Sequence, residues 1–304
     1  MGAETGSKLE LGFVGLGLMG KPMARHLMQG GHRLHVHNRS RGVVQELGRE
    51  GAVPASSARE VAERAEVVFT CLPNVEQVEN VYFGADGLYA GARRGQLFVD
   101  HSTVGVDTTR RCADAARQRG AEFLDAPVSG GPAGAQAGTL TIMVGGDKAA
   151  FERALPLFQL MGKNIRLCGP TGAGTAIKLV NQLLVAINTA GVAEALVFGL
   201  KAGADPQTIL EVVGTGFGGS RMLERNVPLV LERNFKAGTA VNLIVKDLGL
   251  IHSLAAELGT RLELGRCAQR VFQAGLAAGF GDDDMAGLVR AYEPAAGVEV
   301  RRPA

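Results

Sequence analysis

The chain has 304 residues, of which 46% are hydrophobic and 20% charged, with a formal net charge of +2. This length suits two domains or one large one, and the composition is ordinary for a globular protein with a good core. The balanced charge and the lack of Trp disfavour nucleic-acid binding, and four dispersed cysteines without a CxxC pair are typical of a reduced, cytoplasmic protein.

The two ends of the chain differ in composition from the rest. Residues 1–8 lack the apolar core of a signal peptide and predict a disordered leader, and residues 297–304 predict a flexible basic tail. Between them we expect an α/β domain over residues 9–172, built as a Rossmann-type doubly wound sheet. An all-α domain for substrate binding and oligomerisation follows over residues 173–296, joined through one long helix.

The first motif is a glycine-rich turn between a strand and a helix. Leu9–Gly20 reads LELGFVGLGLMG, and an apolar helix face and a second strand at Arg33–His37 follow. In this context the first Gly permits a tight turn, the second lets backbone approach a pyrophosphate, and the third lets helix and strand pack closely. The motif predicts dinucleotide binding by Gly15, Leu16, Gly17, Leu18, Met19 and Gly20.

The residues after the second strand bear on the choice of cofactor. NAD-binding folds usually place Asp or Glu there to hold the ribose 2′-hydroxyl, whereas this chain has Asn38, Arg39 and Ser40. Arg39 can stack on adenine and grip a 2′-phosphate, and Ser40 and the following Arg41 can add donors. An arginine that merely coats a loop is the alternative. We therefore favour NADP(H), with NAD(H) possible.

Two later strands also end in small polar loops. The patterns predict strands at Glu66–Cys71 and Gln96–His101, each followed by a loop and a helix. The carboxyl ends of parallel strands line the ligand crevice of such a sheet. Leu72, Pro73 and Thr103 are therefore predicted to contact the nicotinamide half of the cofactor.

A second glycine-rich turn lies in the stretch EFLDAPVSGGPAGA, residues 122–135. Ser129 followed by Gly130 and Gly131 combines a hydroxyl with two glycine N–H groups, which suits a small carboxylate. A turn that serves only chain reversal is the alternative reading of these residues alone.

The segment Gly172–Gly203 contains a long apolar run without proline, from Thr175 to Lys201, whose spacing predicts one long helix. Lys178, Asn181 and Gln182 share one face of it and make Lys178 a candidate for chemistry. The run is apolar enough to resemble a membrane span. Its polar residues favour a buried helix of a soluble protein, and we predict no membrane association.

After Gly203 the strand pattern stops and helices are expected, beginning at Asp205-Pro206 and continuing over Arg221–Val230, Asn242–Leu258, Arg261–Ala278 and Ala286–Tyr292. The aspartates at 282–284 are interpreted as a helix cap with favourable dipole charge, and no metal site is predicted. The large apolar surfaces predict a homo-oligomer, either a dimer or a tetramer.

Four motifs, in order, resemble the β-hydroxyacid dehydrogenases over about 290 residues. GFVGLGLMGKPMARHL (12–27) is similar to the cofactor motif of the family, and DAPVSGG (125–131) to its substrate motif, followed by GTLTIMVGG (138–146). GAGTAIKLVNQ (172–182) is similar to its catalytic motif, and KDL (246–248) to its late cofactor-side lysine.

The resemblance implies roles for particular residues. Lys178 would be the catalytic lysine, supported by Asn181, and Lys246 would contact the cofactor. Ser129, Gly130 and Gly131 would bind the substrate carboxylate. Many members have Asn-Asn after the lysine, whereas this chain has Gln182 at the second, substrate-contacting position; that pair looks like the tartronate semialdehyde reductase branch.

The expected function is an NAD(P)-dependent oxidoreductase that interconverts a small aldehyde acid and its hydroxy acid, tartronate semialdehyde and glycerate being favoured. The alternatives are 3-hydroxyisobutyrate dehydrogenase and a succinic semialdehyde or glyoxylate reductase. An imine reductase is disfavoured because that related group lacks the lysine. A nucleotide-sensing module without chemistry is a more remote alternative, against which the intact Ser129, Lys178 and Asn181 argue.

Overall fold

The computed structural model describes residues 8–236 and 238–302 of the chain. The chain divides into two compact units, Met1–Lys178 and Leu179–Ala304. The predicted boundary between residues 172 and 173 lies upstream of this division, because the first turns of the long helix pack with the first unit. The predicted leader falls outside the described residues except for Lys8.

The first unit is built on a mixed sheet that has nine strands within the described residues. They are β1 (Glu10–Val14), β2 (Arg33–His37), β3 (Val53–Pro54), β4 (Val67–Thr70), β5 (Leu97–Asp100), β6 (Glu122–Asp125), β7 (Val128–Ser129), β8 (Leu140–Gly145) and β9 (Gly162–Gly169). Strands β1 to β6 pair in parallel in the order 3-2-1-4-5-6, the doubly wound arrangement of dinucleotide-binding folds. Strand β8 is antiparallel to β6 and β7, and β9 pairs with β8 in parallel.

Helices connect these strands across both faces of the sheet. They are α1 (Gly20–Gln29), α2 (Arg41–Arg49), α3 (Ala58–Arg64), α4 (Val75–Phe83), α5 (Val106–Gln118), α6 (Gly131–Ala137) and α7 (Lys148–Met161). Side-chain oxygens of Ser57, Asn74 and Asp147 accept backbone N–H groups at the starts of α3, α4 and α7. These caps satisfy groups that a helix start otherwise leaves without partners.

The core of the first unit lies on both faces of the sheet. Successive strand residues alternate between faces: Phe13 and Phe69 pack on one side, with ring centroids 6.1 Å apart, and Val68 packs with Tyr82 on the other. Parallel strands buried on both faces read as continuous apolar runs, which is why these strands are visible in the sequence.

The long helix, α8 (Ala173–Lys201), begins two residues before the predicted start at Thr175. By length and composition it is apolar enough to cross a membrane, a test that core helices of soluble proteins also pass. Its first residues belong to the first unit and the remainder to the second.

The second unit is helical throughout its described part, as predicted, which confirms the fold class. After α8 come α9 (Pro206–Val213), α10 (Arg221–Leu231), α11 (Val241–Glu257), α12 (Glu263–Ala277), a 3-10 helix at Met285–Ala291 and α13 (Glu293–Ala296). Asp284 accepts the N–H of Ala286 and so caps the 3-10 helix, as the acidic run predicted.

The end of the chain differs from the predicted flexible tail. Val300 is fully buried, and its N–H donates to the Glu293 carboxylate at 2.8 Å. The N–H of Arg302 donates to the Leu231 carbonyl at 3.1 Å. An apolar residue within the basic stretch therefore holds the chain against α10 and α13 as far as Arg302.

Candidate active site

In the glycine-rich turn after β1, each of the three glycines has the steric property that its predicted role requires. Gly15 has φ +96°, and a side chain there would collide with the Cys71 carbonyl. Gly17 has open space where a Cβ would stand, whereas at Gly20 a Cβ would collide with the Gly15 carbonyl. The described residues thus fit a dinucleotide, because backbone at Gly17 is open to a ligand and Gly20 holds α1 against the turn.

The helix start beside this turn is open to an anion. Met19 occupies the capping position of α1, and its side chain accepts no capping hydrogen bond. Leu18 is 64% exposed, whereas Leu16 is buried beneath the turn. The positive end of the α1 dipole therefore faces a turn that lacks a side-chain cap, a geometry suited to phosphate.

The residues after β2 divide into two groups. The side-chain oxygen Oδ1 of Asn38 accepts the Leu16 N–H at 3.0 Å, so Asn38 shapes the glycine-rich turn. Arg39 and Ser40 are exposed. Arg41, in contrast, donates to the carbonyls of Ala55 and Ser56 at 2.9 and 3.3 Å. Arg39 and Ser40 are thus presented to solvent, and Arg41 braces the neighbouring loop.

A buried network holds the loop after β4, and the sequence analysis did not identify it. Asp100 Oδ1 accepts the hydroxyls of Thr70 and Ser102 at 2.7 and 2.6 Å, and the Ser102 hydroxyl accepts the Leu72 N–H at 2.9 Å. Burial raises the pKa of Asp100, and hydrogen bonds from Ser102 and Thr70 oppose this rise. The network fixes Leu72 and the chain leading to exposed Pro73.

Thr103 lies half-buried one residue beyond Ser102. Its loop begins at His101, whose ring stacks on Phe69 with centroids 5.7 Å apart. His101 Nδ1 lies 2.6 Å from the Ala126 carbonyl and donates to it, and burial lowers the pKa of His101 to about 4. A neutral, tightly held imidazole thus anchors the loop that carries Thr103.

The predicted carboxylate-binding turn begins at the end of β7. Ser129 is half-buried, and Gly130 and Gly131 have φ values of +133° and +62°. Both values favour glycine, and Gly131 has open space where a Cβ would stand. The turn is therefore open at Gly131, whereas a Cβ at Gly130 would stand 3.2 Å from Leu140 Cδ2.

Asp125, at the end of β6, joins the segment that contains Ser129 to the start of α8. Its Oδ1 accepts the Gly172 N–H at 2.8 Å, and its Oδ2 accepts the N–H and hydroxyl of Thr175 at 2.8 and 3.1 Å. Burial raises the pKa of Asp125, against the lowering effect of these bonds. The helix start is thus held by a residue nearly fifty positions earlier in the chain.

Lys178 follows Thr175 by one helical turn and is only 7% exposed. A lysine so buried needs polar or charged surroundings, and one on a site-bearing helix is a candidate for chemistry. Burial raises the pKa of Cys71 to about 12, with Asp100 adding to the rise and the positive charge of Lys178 opposing it. The Cys71 carbonyl lies where a Cβ at Gly15 would collide with it, so Cys71 adjoins the glycine-rich turn.

Asn181, Gln182 and Lys246 lie in the second unit and form one chain of contacts through Asp247, a residue the sequence analysis did not single out. Asn181 Nδ2 donates to Gln182 Oε1 at 2.9 Å, and Gln182 Nε2 donates to Asp247 Oδ2 at 2.5 Å. Lys246 Nζ lies 2.9 Å from Asp247 Oδ1, an ion pair by distance that lacks hydrogen-bond alignment. The buried Asp247 therefore links the amide pair to the lysine.

The remaining acidic residues do not gather into a metal centre. Within the part of the chain that the structure describes, no group of three His, Cys, Asp or Glu side chains could hold a metal ion. Asp283 and Asp284 are instead paired with Arg290 and Arg225.

This fold and glycine-rich turn define a nicotinamide dinucleotide-dependent oxidoreductase, and family models agree. Residues 10–169 match the NAD-binding domain of 6-phosphogluconate dehydrogenase, and residues 172–292 match the NAD-binding model of NADP-dependent 3-hydroxyisobutyrate dehydrogenase.

Curated proteins and solved structures are similar over nearly the whole chain. The 2-hydroxy-3-oxopropionate reductase of Escherichia coli is 43% identical, covering 94% of this chain and 97% of that protein. The 2-(hydroxymethyl)glutarate dehydrogenase of Eubacterium barkeri is 39% identical, covering 96% and 97%. The structure of Mycobacterium tuberculosis 3-hydroxyisobutyrate dehydrogenase with L-serine has a TM-score of 0.86 at 33% identity, covering 94% and 99%.

The chain belongs to the β-hydroxyacid dehydrogenase family, and it is an NAD(P)-dependent hydroxyacid dehydrogenase or reductase. These findings confirm the resemblance on which the sequence analysis relied. The differing activities named for these relatives leave the substrate a matter for proposal.

Proposed function

We propose that the chain reduces tartronate semialdehyde (2-hydroxy-3-oxopropionate) to glycerate, with NADPH as the preferred reductant. The observation that carries the proposal is the burial of Lys178 one turn after Thr175, on a helix bonded through Asp125 to the segment that contains Ser129. The 43% identity to the E. coli reductase supports this substrate.

The carboxylate of the substrate is the group that Ser129, Gly130 and Gly131 would bind. A hydroxyl and two glycine N–H groups are neutral donors that can surround a small anion, and both glycines have positive φ values. Binding there would leave the aldehyde end of a three-carbon acid to be oriented by other groups. A longer acid would place its carbonyl differently, which is how this turn would contribute to specificity.

Lys178 would act on the carbonyl oxygen. The carbonyl carbon would receive the hydride that a bound nicotinamide dinucleotide would supply. The Lys178 ammonium would hydrogen-bond the oxygen and transfer a proton to it as negative charge develops, which leaves a neutral amine and the hydroxy acid. In the oxidation direction the neutral amine would accept the hydroxyl proton. General acid catalysis of this kind contributes roughly 10²–10⁴-fold.

Asn181 and Gln182 would assist from the same face of α8, one turn after Lys178. The bond from Gln182 Nε2 to Asp247 holds the Gln182 amide in one orientation. The amide held in this orientation would contact a substrate hydroxyl. Lys246, half-buried and paired with Asp247, would contact the cofactor.

The cofactor preference is proposed from the loop after β2. Arg39 and Ser40 are exposed there, and no acid occupies positions 38–41 to hold a ribose 2′-hydroxyl. A guanidinium can pair with a 2′-phosphate through two parallel hydrogen bonds and stack on adenine. NADP(H) is therefore favoured, and use of NAD(H) is the alternative.

A homo-oligomer is proposed from the exposed apolar face of α8. Ile177, Val180 and Leu184 are 48%, 55% and 53% exposed and lie at helical spacing on one side. Phe198 continues that side at 74%. An exposed apolar stripe of this kind marks an interaction surface, and a second copy in a dimer or tetramer would cover it. We also propose a cytoplasmic location, without membrane or nucleic-acid partners.

The test is a steady-state panel of tartronate semialdehyde, succinic semialdehyde and glyoxylate, with oxidation of 3-hydroxyisobutyrate as the reverse reaction, each with NADP(H) and NAD(H). The expected result is the highest kcat/KM for tartronate semialdehyde with NADPH. A higher value for another acid would reassign the substrate within the class. Tight cofactor binding without turnover of any compound would favour a sensor.

A further inference from the structure

The Asp125 carboxylate has an unusual set of partners for the end of a strand. It accepts three hydrogen bonds from the start of α8, two from Thr175 and one from the Gly172 N–H, at 2.8 to 3.1 Å. Asp125 and Thr175 are each 2% exposed. Hydrogen bonds to a buried carboxylate are among the stronger ones in proteins.

Glycines in two separate motifs allow this approach. A Cβ at Gly145 would stand 2.5 Å from Asp125 Oδ1 and 2.8 Å from the Gly174 N, so β8 and α8 meet backbone to backbone beside the carboxylate. Thr175 has a second partner, the Thr109 hydroxyl at 3.0 Å. The start of α8 is therefore held from β6, β8 and α5 at once.

Asp125 lies close in sequence to the predicted substrate-binding turn, and its partner Thr175 lies close to Lys178. Ser129 follows Asp125 by four residues, and Lys178 follows Thr175 by three, about 4.5 Å along the helix axis at roughly 1.5 Å per residue. One carboxylate thus links the short segment that would bind the substrate carboxylate with the first turns of the helix that carries the amine. All of these residues lie within the first unit.

We propose that Asp125 is a positioning residue, which acts through Thr175 to set the distance between the Ser129–Gly131 turn and the Lys178 amine. The proposal rests on the proposed function of that turn and that lysine. A helix held only by packing could shift along its axis, and a displacement of about 1 Å can cost on the order of 10²-fold in rate. Asp125 holds the axial position through both carboxylate oxygens, Oδ1 accepting from the Gly172 N–H and Oδ2 from Thr175.

The kinetic test compares three variants. Asp125→Asn keeps the shape of the side chain but presents an NH₂ group to the helix N–H groups, and kcat for the best aldehyde acid should fall at least ten-fold. Thr175→Val removes the hydroxyl bonds to both Asp125 and Thr109 but keeps the Thr175 N–H bond to Asp125, so kcat should fall less than in Asp125→Asn. Thr175→Ser keeps the hydroxyl and should remain near wild type. The NADPH Kd, measured by fluorescence titration, should stay within two-fold in all three.

A background variant separates positioning from general damage. In Lys178→Ala the group to be positioned is gone, so adding Asp125→Asn should change the residual turnover less than two-fold. An equal loss from Asp125→Asn in both backgrounds would overturn the proposal, as would wild-type kcat in Asp125→Asn. If Asp125→Asn does not fold, the proposal is tested in the same way by the difference in kcat between Thr175→Val and Thr175→Ser.

An activity-independent readout distinguishes failure of this proposal from failure of the proposed function. In protein labelled with ¹³C at lysine Cε, the Lys178 resonance is identified by its loss in Lys178→Arg. That resonance should move in Asp125→Asn and Thr175→Val and stay in place in Thr175→Ser. An unmoved resonance in the first two contradicts positioning, whereas absence of turnover in wild-type protein with a moved resonance contradicts only the substrate assignment.

Discussion

Gln182 donates its side-chain amide to Asp247 at 2.5 Å across 65 positions of sequence, and both side chains are buried. The carboxylate consequently dictates which way the Gln182 amide faces. Gln182→Asn should shorten the side chain beyond the reach of Asp247 and leave a buried carboxylate oxygen without its donor. We expect a loss of about 1–3 kcal/mol in the free energy of unfolding, measured by urea denaturation, and a higher KM for the substrate.

A matched control for that prediction is Gln207→Asn, which makes the same chemical change in a half-buried residue whose solvent-exposed bond to Glu211 measures 2.9 Å. Its free energy of unfolding should stay within about 0.5 kcal/mol of wild type, as is usual for surface substitutions. Equal stability losses in the two variants would show that the Asp247 bond does not stabilise the buried amide.

Arg39 should determine the preference for the phosphorylated cofactor. In Arg39→Asp a carboxylate replaces the guanidinium at the end of β2, so it would repel a 2′-phosphate and accept a ribose 2′-hydroxyl. We expect the Kd for NADPH to rise at least ten-fold and the Kd for NADH to fall, measured by fluorescence titration. Arg49→Asp, an equal charge change at the exposed end of α2, should leave the ratio of the two Kd values unchanged. An unchanged ratio in Arg39→Asp would place the selectivity elsewhere.

The buried His101 should make the protein less stable in mild acid. Burial lowers the pKa of His101 to about 4, whereas an unfolded histidine titrates near roughly 6.5. As pH falls from 6.5 to 4, the unfolded chain takes up a proton that the folded chain does not, so stability is present above pH 6.5 and lost toward pH 4. At about 1.4 kcal/mol per pH unit, the loss from this group approaches about 3 kcal/mol.

His101→Gln should remove that contribution and flatten the pH dependence of the free energy of unfolding between pH 6.5 and 4. Asp100 and Asp125, whose pKa values burial raises, act in the opposite sense but are common to both proteins. His37→Gln, a change of the same kind in a half-buried residue, is the control for the substitution itself. Parallel slopes for wild type and His101→Gln would contradict the prediction.

Leu184 should contribute to an interface between copies of the chain. It lies in the exposed apolar stripe of α8 at 53% exposure, and a carboxylate there would have to be desolvated in a dimer or tetramer. Leu184→Glu should lower the mass measured by light scattering at micromolar concentration, whereas Ser253→Glu, on an exposed position of α11, should not. A wild-type protein that is already monomeric at that concentration would rule out the proposed oligomer.

Most of the helices and strands were predictable because their sequence signals lie within a few neighbouring positions. Strand β2 has its predicted bounds, Arg33–His37, because glycines lie just before its apolar residues and the polar residues Asn38 to Ser40 follow them. The glycine-rich turn was predictable because each of Gly15, Gly17 and Gly20 meets a separate steric demand. The 3-10 geometry of residues 285–291 was not, because 3-10 and α turns share the same apolar spacing.

Contacts between distant residues were beyond the reach of such patterns. The bond from Thr175 to Asp125 joins positions 50 apart, and Asp247 was seen only as the neighbour of a lysine. The charged neighbours of Val300 predict a tail, whereas Val300 is buried and its N–H donates to Glu293, seven positions earlier. Each depends on pairing that becomes visible only when the chain is folded.

The proton donor is tested most directly by turnover of Lys178→Ala with tartronate semialdehyde and NADPH, alongside the NADPH Kd. Lys201→Ala, at the exposed end of the same helix, is the matched control. We predict a loss of roughly 10²–10⁴-fold in kcat for Lys178→Ala, an unchanged Kd, and wild-type values for the control. Near-wild-type kcat in Lys178→Ala would contradict the role assigned to this amine.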